Sequence, residues 1–253
     1  MEVVITSGRA QIATIAADAV ERLLVEKPDA VLGLATGSSP TYVYDELVHR
    51  HESGRISFAE ASAFTLDEYV GLPADHPERY CHVIDRAFVS RVDFAPGAVR
   101  SPDGLSADLS SEAEAYERAI AAAGGVDLQI LGIGSNGHIA FNEPGSSLAS
   151  RTRAVPLADR TRQDNARFFD GDVQAVPGLC LTQGLGTIME ARELVLIATG
   201  GAKAAAVHQL IEGEISTTWP ATVMQRHPRA TVLLDEQAAA RLTRTDQLLP
   251  RDG

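Results

Sequence analysis

Residues suited to proton transfer lie in the loop "GIGSNGHIAFNEP", residues 132–144, which follows the apolar run "VDLQIL". His138 can exchange a proton near neutral pH, and a neighbouring carboxylate or amide can orient its ring. Glu143 lies five residues further on, so only a folded loop brings the two side chains together. The glycines in this loop let a strand end abruptly and let the backbone approach a ligand. The pattern predicts an acid–base site, although a lone histidine is also a common structural hydrogen-bonding residue.

Two adjacent acidic residues, Asp67 and Glu68, lie near the end of the run "SAFTLDEY". Adjacent residues of a strand face opposite ways. One carboxylate can therefore face a pocket and act as a base, while the other makes a structural or interface contact. The alternative is that both carboxylates are solvated in a turn.

An anion site is predicted where the run "VLGLA" meets Gly37, Ser38 and Ser39, just before a helix that begins at a proline. Hydroxyl groups, free backbone amides and the helix dipole all favour negative charge there. The simpler alternative is that Ser39 only caps the helix, because the segment lacks the lysine of a P-loop. Two distant cations are further candidates: Lys203, which follows a Gly-Gly pair, and Arg167 in "NARFFD".

These residues need elements that carry them to one place, and the sequence alternates short apolar runs with Ala-rich segments. Strands are predicted at residues 3–6, 30–35, 62–69, 126–133, 193–199 and 230–236. Helices are predicted near 9–25, 40–51, 76–88, 110–123, 159–169, 201–212 and 235–242. The order predicts a single-domain α/β protein over residues 1–253, with a modified Rossmann-like fold, a mostly parallel central sheet and helices on both faces. Ligands of such sheets bind beyond the carboxyl ends of the strands.

Composition and net charge limit the kinds of molecule that the protein is expected to bind. A formal net charge of −12 repels a polyanion, so nucleic-acid binding is not expected, but a few local cations suffice for a small phosphate. The chain shows no long apolar stretch and no signal-peptide pattern, so we expect a cytoplasmic protein without membrane contact. Cys81 and Cys180 lack the spacing of a zinc site or a disulfide framework. A His–Glu pair can bind metal, but no third protein ligand is evident, so no metal is predicted.

Five separated segments, taken in order, resemble the glucosamine-6-phosphate deaminase family over almost the whole chain. They are "LGLATGSSPTYVYDEL", "FTLDEYVGL", "GSNGHIAFNEPGSSLASRTR", "NARFFD" and "TGGAKAAAV". The resemblance implies an enzyme, a hydrolase that converts glucosamine 6-phosphate and water to fructose 6-phosphate and ammonia. It implies ring opening, aldose-to-ketose isomerisation and loss of nitrogen, in the catabolism of amino sugars, with no cofactor.

The same resemblance implies roles for individual residues. Asp67 would be the base that moves a proton between the two carbons nearest the carbonyl. His138 would assist ring opening, and Glu143 would hold or tune that histidine; the alternative for Glu143 is a structural loop contact. The matched phosphate site comprises Gly37, Ser38, Ser39, Arg167 and Lys203.

One departure from the family pattern is Asn136, which stands where some members carry an acid that hydrogen-bonds the catalytic histidine. Asparagine cannot supply the negative charge, but its amide oxygen can still accept a hydrogen bond. We therefore expect retained activity with a less strongly supported imidazolium.

A second departure concerns regulation. Members activated by N-acetylglucosamine 6-phosphate use a cluster matched here by Ser146, Ser147 and Arg153, but Val155 stands where they place a lysine. Losing a phosphate-binding cation weakens anion recognition, so allosteric activation is not expected.

Two alternative functions fit the sequence less well. A 6-phosphogluconolactonase also binds a sugar phosphate, but that family continues after "GH" with a Thr-Ala-Ser-Leu type of segment, whereas this chain has "IAFNEP". A sugar-phosphate sensor of a transcription regulator would need a DNA-binding module, for which the chain has no spare length. The subunit count, whether monomer or homo-oligomer, the kinetic constants, acceptance of galactosamine 6-phosphate and closure of a lid at 145–185 are left open by the sequence.

Overall fold

The computed structural model describes residues 1–37 and 40–243. Its strands are β1 (Glu2–Thr6), β2 (Val31–Leu34), β3 (Ser62–Thr65), β4 (Asp67–Tyr69), β5 (Val99–Arg100), β6 (Leu128–Leu131), β7 (Arg153–Pro156), β8 (Leu179–Thr182), β9 (Glu193–Ala198) and β10 (Ala230–Asp235). Its helices are α1 (Arg9–Glu26), α2 (Thr41–Glu52), α3 (Tyr80–Ala87), α4 (Leu109–Ala122), α5 (Asp159–Asn165), α6 (Leu185–Met189) and α7 (Ala204–Glu212). Short 3-10 segments cover Val89–Arg91, Ala166–Phe168, Gly201–Lys203 and Pro220–Arg226.

The central sheet has seven strands in the order β1-β10-β9-β6-β2-β3-β5, and every neighbouring pair is parallel. Right-handed crossovers place α1, α2 and α3 on one face, because the chain moves one way across the sheet through β2, β3 and β5. They place α4, α6 and α7 on the other face, because the chain then returns through β6, β9 and β10. The predicted parallel α/β fold is confirmed, and the inner strands β2 and β6 are buried along their whole length.

The reversal of strand order falls between β2 and β6, which are neighbours in the sheet. At such a point the loops that leave the carboxyl ends diverge to opposite faces and open a crevice, where open α/β sheets bind ligands. The loop after β2 begins at Ala35, and the loop after β6 begins at Gly132. Both predicted site loops therefore border the same crevice.

A second, three-stranded antiparallel sheet has the order β4-β8-β7. The sequence predicted one strand over 62–69, but the chain breaks at Leu66: residues before it join the central sheet and residues after it join the second sheet. Strands β7 (RAVP) and β8 (LCLT) were not predicted; β7 has no buried residue, and β8 is buried at three of its four residues but was not recognised as a separate apolar run. Propensity is weak evidence for strands this short.

The helix predicted over 235–242 is wrong. Residues 236–241 form turns after β10 ends at Asp235. The Asp235 carboxylate accepts hydrogen bonds from the amides of Ala238 at 2.7 Å and Gly200 at 3.0 Å, which stabilises a turn at this point. The run "QAAAR" favours a helix by composition, but a segment this short gains too few hydrogen bonds to offset the cost of nucleation.

Helices α1 and α2 are held together by Arg50, whose side chain is 2% exposed. Its guanidinium lies 2.7 Å from carboxylate oxygens of Asp18 and Glu21 and 2.8 Å from Glu46. It also donates to the Thr14 carbonyl at 3.2 Å. Three carboxylates thus converge on one buried cation, which offsets their mutual repulsion.

Replacing Arg50 with methionine is expected to lower the free energy of unfolding by about 3 kcal/mol, because a buried cation is lost and Asp18 and Glu46 lose their ion-pair partner, while Glu21 keeps its pair with Arg55. Chemical denaturation measures the change. Arg91→Met is the matched control: Arg91 makes a 2.7 Å ion pair with Asp45 in which both side chains are exposed, so its loss should cost below about 1 kcal/mol. Equal losses for the two variants would contradict this assignment.

Candidate active site

The loop after β6 turns sharply at its glycines. The Gly134 amide donates to the His138 carbonyl at 2.9 Å, and the Gly137 amide donates to the Gly134 carbonyl at 3.0 Å. A Cβ on Gly134 would lie 2.3 Å from Cε1 of His138, so the imidazole packs directly on this residue. Gly137 has φ +84°, and a Cβ there would lie 2.6 Å from Cε3 of Trp219. The two glycines thus let His138 and Trp219 pack closely on the loop.

His138 and Glu143 are brought together as predicted. Nδ1 of the imidazole lies 3.5 Å from Oε2 of Glu143, and the two side chains are 19% and 15% exposed. Within the described part of the chain, that nitrogen is buried without a closer hydrogen-bond partner. The contact is long but points the ring at a carboxylate, the arrangement that orients a proton-transferring histidine.

Glu143 also accepts hydrogen bonds from two other side chains. Nδ2 of Asn136 donates to Oε2 at 2.7 Å, and the hydroxyl of Thr161 donates to Oε1. Burial opposes the charge of this carboxylate, but His138, Thr161 and Asn136 outweigh it and lower the pKa of Glu143 to about 2. Thr161 was not identified from the sequence, because it lies 18 residues away on α5 and no local pattern marks it.

The contact expected for Asn136 differs in the structure. Its amide oxygen accepts from the backbone amide of His138 at 3.3 Å, and its amide nitrogen binds Glu143. It therefore contacts the carboxylate that faces the imidazole and not the imidazole itself. The sequence could not show this, because the contact depends on how the loop folds back through Gly137, whose φ is +84°, to bring Asn136 next to Glu143.

The adjacent acids Asp67 and Glu68 have different surroundings. Asp67 is 5% exposed, opens β4 and pairs with Thr182 of β8. Burial, with a smaller contribution from the neighbouring Glu68, raises the pKa of Asp67 to about 8. Among the described residues its carboxylate accepts no hydrogen bond, so it is available to a ligand.

Glu68 has a structural contact, as one of the two acids was expected to have. Its side chain is fully buried and accepts from the amides of Tyr69 and Tyr80 at 2.8 Å and of Cys81 at 3.0 Å. Tyr80 and Cys81 begin α3, whose first amides have no partner within the helix. Glu68 thereby caps that helix and is not free to act as a base.

The other two carboxylates, Asp67 and Glu143, both lie near enough to one thiol to affect its pKa. Burial, followed by the charges of Asp67 and Glu143, raises the pKa of Cys180 well above its ordinary value. Cys180 is fully buried in β8 and pairs with Tyr69 of β4 and Val155 of β7. The second sheet thus brings Asp67, at the first position of β4, and the histidine loop to one place.

Several cationic side chains lie near one another at the predicted phosphate-binding site, the cation-rich end of the crevice. Burial lowers the pKa of Lys203, and although Asp164 opposes this, the positive charges of Arg167 and Arg160 lower it further. Arg160 was not predicted; it donates to the hydroxyl of Ser135 in the histidine loop at 3.2 Å. Three cations that act on one another, opposed by the single carboxylate of Asp164, produce a local positive charge that can attract an anion.

The loop after β2 supplies the other half of this end. Gly37 has φ +103°, a backbone conformation that favours glycine. The hydroxyl of Thr41 at the start of α2 donates to its carbonyl at 3.0 Å. Ser38 and Ser39 lie outside the described residues.

The segment matched to an activator site also forms a cluster. Arg153 donates to the Ser146 hydroxyl at 3.3 Å and to Oδ1 of the buried Asn142 at 2.9 Å, while Ser147 is exposed. Val155 follows Arg153 by two residues in β7 and so shares its face of the strand. That face carries one cation and one valine.

Within residues 1–37 and 40–243, no three His, Cys, Asp or Glu side chains form a group suited to a metal ion. Across the same ranges, no helix has the length and apolar character needed to cross a membrane.

Known proteins resemble this chain over nearly all its length. A protein of Mycolicibacterium smegmatis, named glucosamine-6-phosphate deaminase, is 67% identical over 246 residues, which are 97% of this chain and 94% of that one. A solved structure of a monomeric glucosamine-6-phosphate deaminase superposes with a TM-score of 0.92 at 41% identity, covering 95% of this chain and 99% of the other.

More distant structures share the fold alone. The 6-phosphogluconolactonase of Trypanosoma cruzi superposes with a TM-score of 0.74 at 21% identity, covering 96% of this chain and 97% of the other. A model of the family "Glucosamine-6-phosphate isomerases/6-phosphogluconolactonase" matches residues 4–233. By this match and by the identity to its relatives, the chain belongs to the family of glucosamine-6-phosphate isomerases and 6-phosphogluconolactonases.

Proposed function

We propose that this protein is a glucosamine-6-phosphate deaminase, which converts glucosamine 6-phosphate and water to fructose 6-phosphate and ammonia. Because water is consumed and a carbon–nitrogen bond is broken, the net reaction is a hydrolytic deamination. The observation that carries the proposal is the pairing of a buried, unpartnered carboxylate, Asp67, with a separate His138–Glu143 pair beside the same crevice. Two relatives, 67% and 63% identical to this chain, bear the same name.

In this proposal His138 serves ring opening. The imidazole delivers a proton to the ring oxygen as the bond from that oxygen to carbon 1 breaks, and the hydroxyl on carbon 1 releases its proton to solvent and becomes the aldehyde. Glu143 stays ionised because of its low pKa and holds the ring by its Nδ1 side. The Nε2 side of the imidazole then faces the sugar.

Asp67 serves isomerisation and deamination. Its carboxylate removes the proton from carbon 2 while the aldehyde oxygen takes a proton from solvent, which gives an enolamine. Asp67 then returns its proton to carbon 1, which leaves an iminium at carbon 2. Water adds to carbon 2, ammonia leaves and the ketone forms. A pKa of about 8 suits this base, because it must both take and return a proton near neutral pH.

The substrate phosphate would lie at the cation-rich end. Lys203, Arg167 and the backbone at Gly37 are the proposed ligands, together with Ser38 and Ser39 as implied by the family resemblance. The lowered pKa of Lys203 supports this, since it reports burial beside like charges that a phosphate dianion would neutralise. The valine at position 155 supports an enzyme without activation by N-acetylglucosamine 6-phosphate.

Replacing Asp67 with asparagine is expected to lower kcat by about 10²–10⁴, because the proton-transferring base is lost. Ammonia and fructose 6-phosphate are measured together from glucosamine 6-phosphate, and equal molar release by the parent is expected. Asp45→Asn, which alters an exposed carboxylate of α2, is the control and should keep the parent rate. Hydrolysis of 6-phosphogluconolactone without ammonia release from glucosamine 6-phosphate would contradict the proposal.

The same variant should gain stability at alkaline pH. The pKa of Asp67 is raised from 3.8 to about 8, so above pH 4 the folded state binds more protons at this group than the unfolded state. The stability of the parent therefore falls as pH rises from about 4 to 8. Asp67→Asn removes this loss, and its melting temperature should exceed that of the parent by a few degrees at pH 8.5 but not at pH 4. Equal differences at both pH values would show that burial does not raise the pKa of the Asp67 carboxyl in the parent.

Asn136→Asp tests the support of the imidazolium. The variant keeps an oxygen for the His138 amide but replaces the donor to Glu143 with a second negative charge near Oε2, which favours the protonated form of the imidazole that Oε2 faces. The alkaline limb of the pH–rate profile is expected to move to higher pH. If the pH–rate profiles of parent and variant coincide throughout, this prediction is wrong.

A further inference from the structure

Thr161 contacts the Glu143 carboxylate from another part of the chain. It lies on α5, is 3% exposed, and its hydroxyl donates to Oε1 of Glu143. The other oxygen of that carboxylate, Oε2, faces His138 and accepts from Asn136. Asn136 and His138 belong to the same loop as Glu143, so Thr161 is the contact that attaches this carboxylate to another element of the described chain.

A second contact holds the same helix near the other candidate residue. Nδ2 of Asn165 donates to the hydroxyl of Tyr69 at 2.8 Å, and Tyr69 lies two residues after Asp67 in β4. Thr161 and Asn165 are four residues apart, so they share one face of α5. That face is thus anchored beside both Glu143 and β4.

Other residues of the same segment lie at the cation-rich end. Arg160 and Asp164 precede and follow Thr161 on α5, and Arg167 lies in the 3-10 segment that continues the helix. Their charges act on Lys203. One short segment therefore connects the proposed phosphate ligands to the carboxylate that orients the histidine.

We propose that Thr161 is a positioning residue for the ring-opening step: its hydroxyl holds the Glu143 carboxylate, and through it the His138 imidazole, in the orientation set by α5. The inference rests on the function proposed above. An ionised carboxylate fixed at both oxygens cannot rotate, and the imidazole that it faces at 3.5 Å is held in turn. Loss of the hydroxyl frees one oxygen, and small displacements of a proton-transferring group are costly in rate.

Three variants test the proposal. Thr161→Val keeps the branched shape and removes the hydroxyl, and Thr161→Ser keeps the hydroxyl. Thr187→Val is the matched control, because Thr187 is also buried and donates to a carboxylate, Oε1 of Glu117, at 2.5 Å. Glu117 receives its other contacts from Arg151 and Thr152, in a network that includes none of the candidate site residues.

For Thr161→Val, we expect kcat to fall about tenfold with KM within about twofold of the parent, because orientation and not phosphate binding is lost. Binding of the acyclic alcohol made by reducing the substrate, which needs no ring opening, should be unchanged. Thr161→Ser should recover kcat to within about threefold of the parent, and Thr187→Val should keep it. The proposal is overturned if Thr161→Val keeps the parent kcat, if serine fails to rescue, or if Thr187→Val loses as much activity.

A second measurement does not depend on turnover. In protein labelled with ¹⁵N-histidine, the ring signals of His138 are identified by their loss in His138→Gln. They are expected to shift in Thr161→Val and to keep their parent positions in Thr161→Ser and Thr187→Val. Absence of deamination by the parent would overturn the proposed function, whereas unchanged His138 signals in Thr161→Val would overturn the role of Thr161.

Discussion

The charge of Glu143 constrains the arrangement of the site. A mostly buried carboxylate stays ionised only beside hydrogen-bond donors or positive charge, and this one accepts from Asn136 and Thr161 and faces the His138 imidazole. Two of these three groups come from its own loop and one comes from α5. The geometry of the turn at Gly137 and the position of α5 are therefore coupled through a single side chain.

Asp67 presents the opposite case within the same fold. Its carboxylate is buried without donors, so its pKa rises to about 8, while that of Glu143 falls to about 2. Environments that push two carboxyl groups apart are a means of assigning different roles to identical chemistry. Here the orienting carboxylate stays charged, and the proposed base can carry a proton near neutral pH.

The second sheet makes this contrast possible. The break at Leu66 lets one short segment finish a strand of the central sheet and then open a strand of the other, with Asp67 at the junction. Glu68 is turned the other way and caps α3, so the acidic pair is divided between chemistry and structure. Strands β7 and β8 complete the second sheet, and the charges of both Asp67 and Glu143 act on the buried Cys180 of β8.

The sequence by itself determined the parallel α/β fold, the loop that joins His138 to Glu143 and the likeness of its motifs to one family. Apolar periodicity and glycine-rich strand ends are local patterns, and local patterns can be read along a chain. Only the tertiary structure decided which acid of the pair is free, that Asn136 binds Glu143 and not the imidazole, and that Thr161 and Arg160 join the site. It also replaced the helix predicted over 235–242 with turns. These features depend on contacts between residues far apart in sequence, where burial and packing outweigh local propensity.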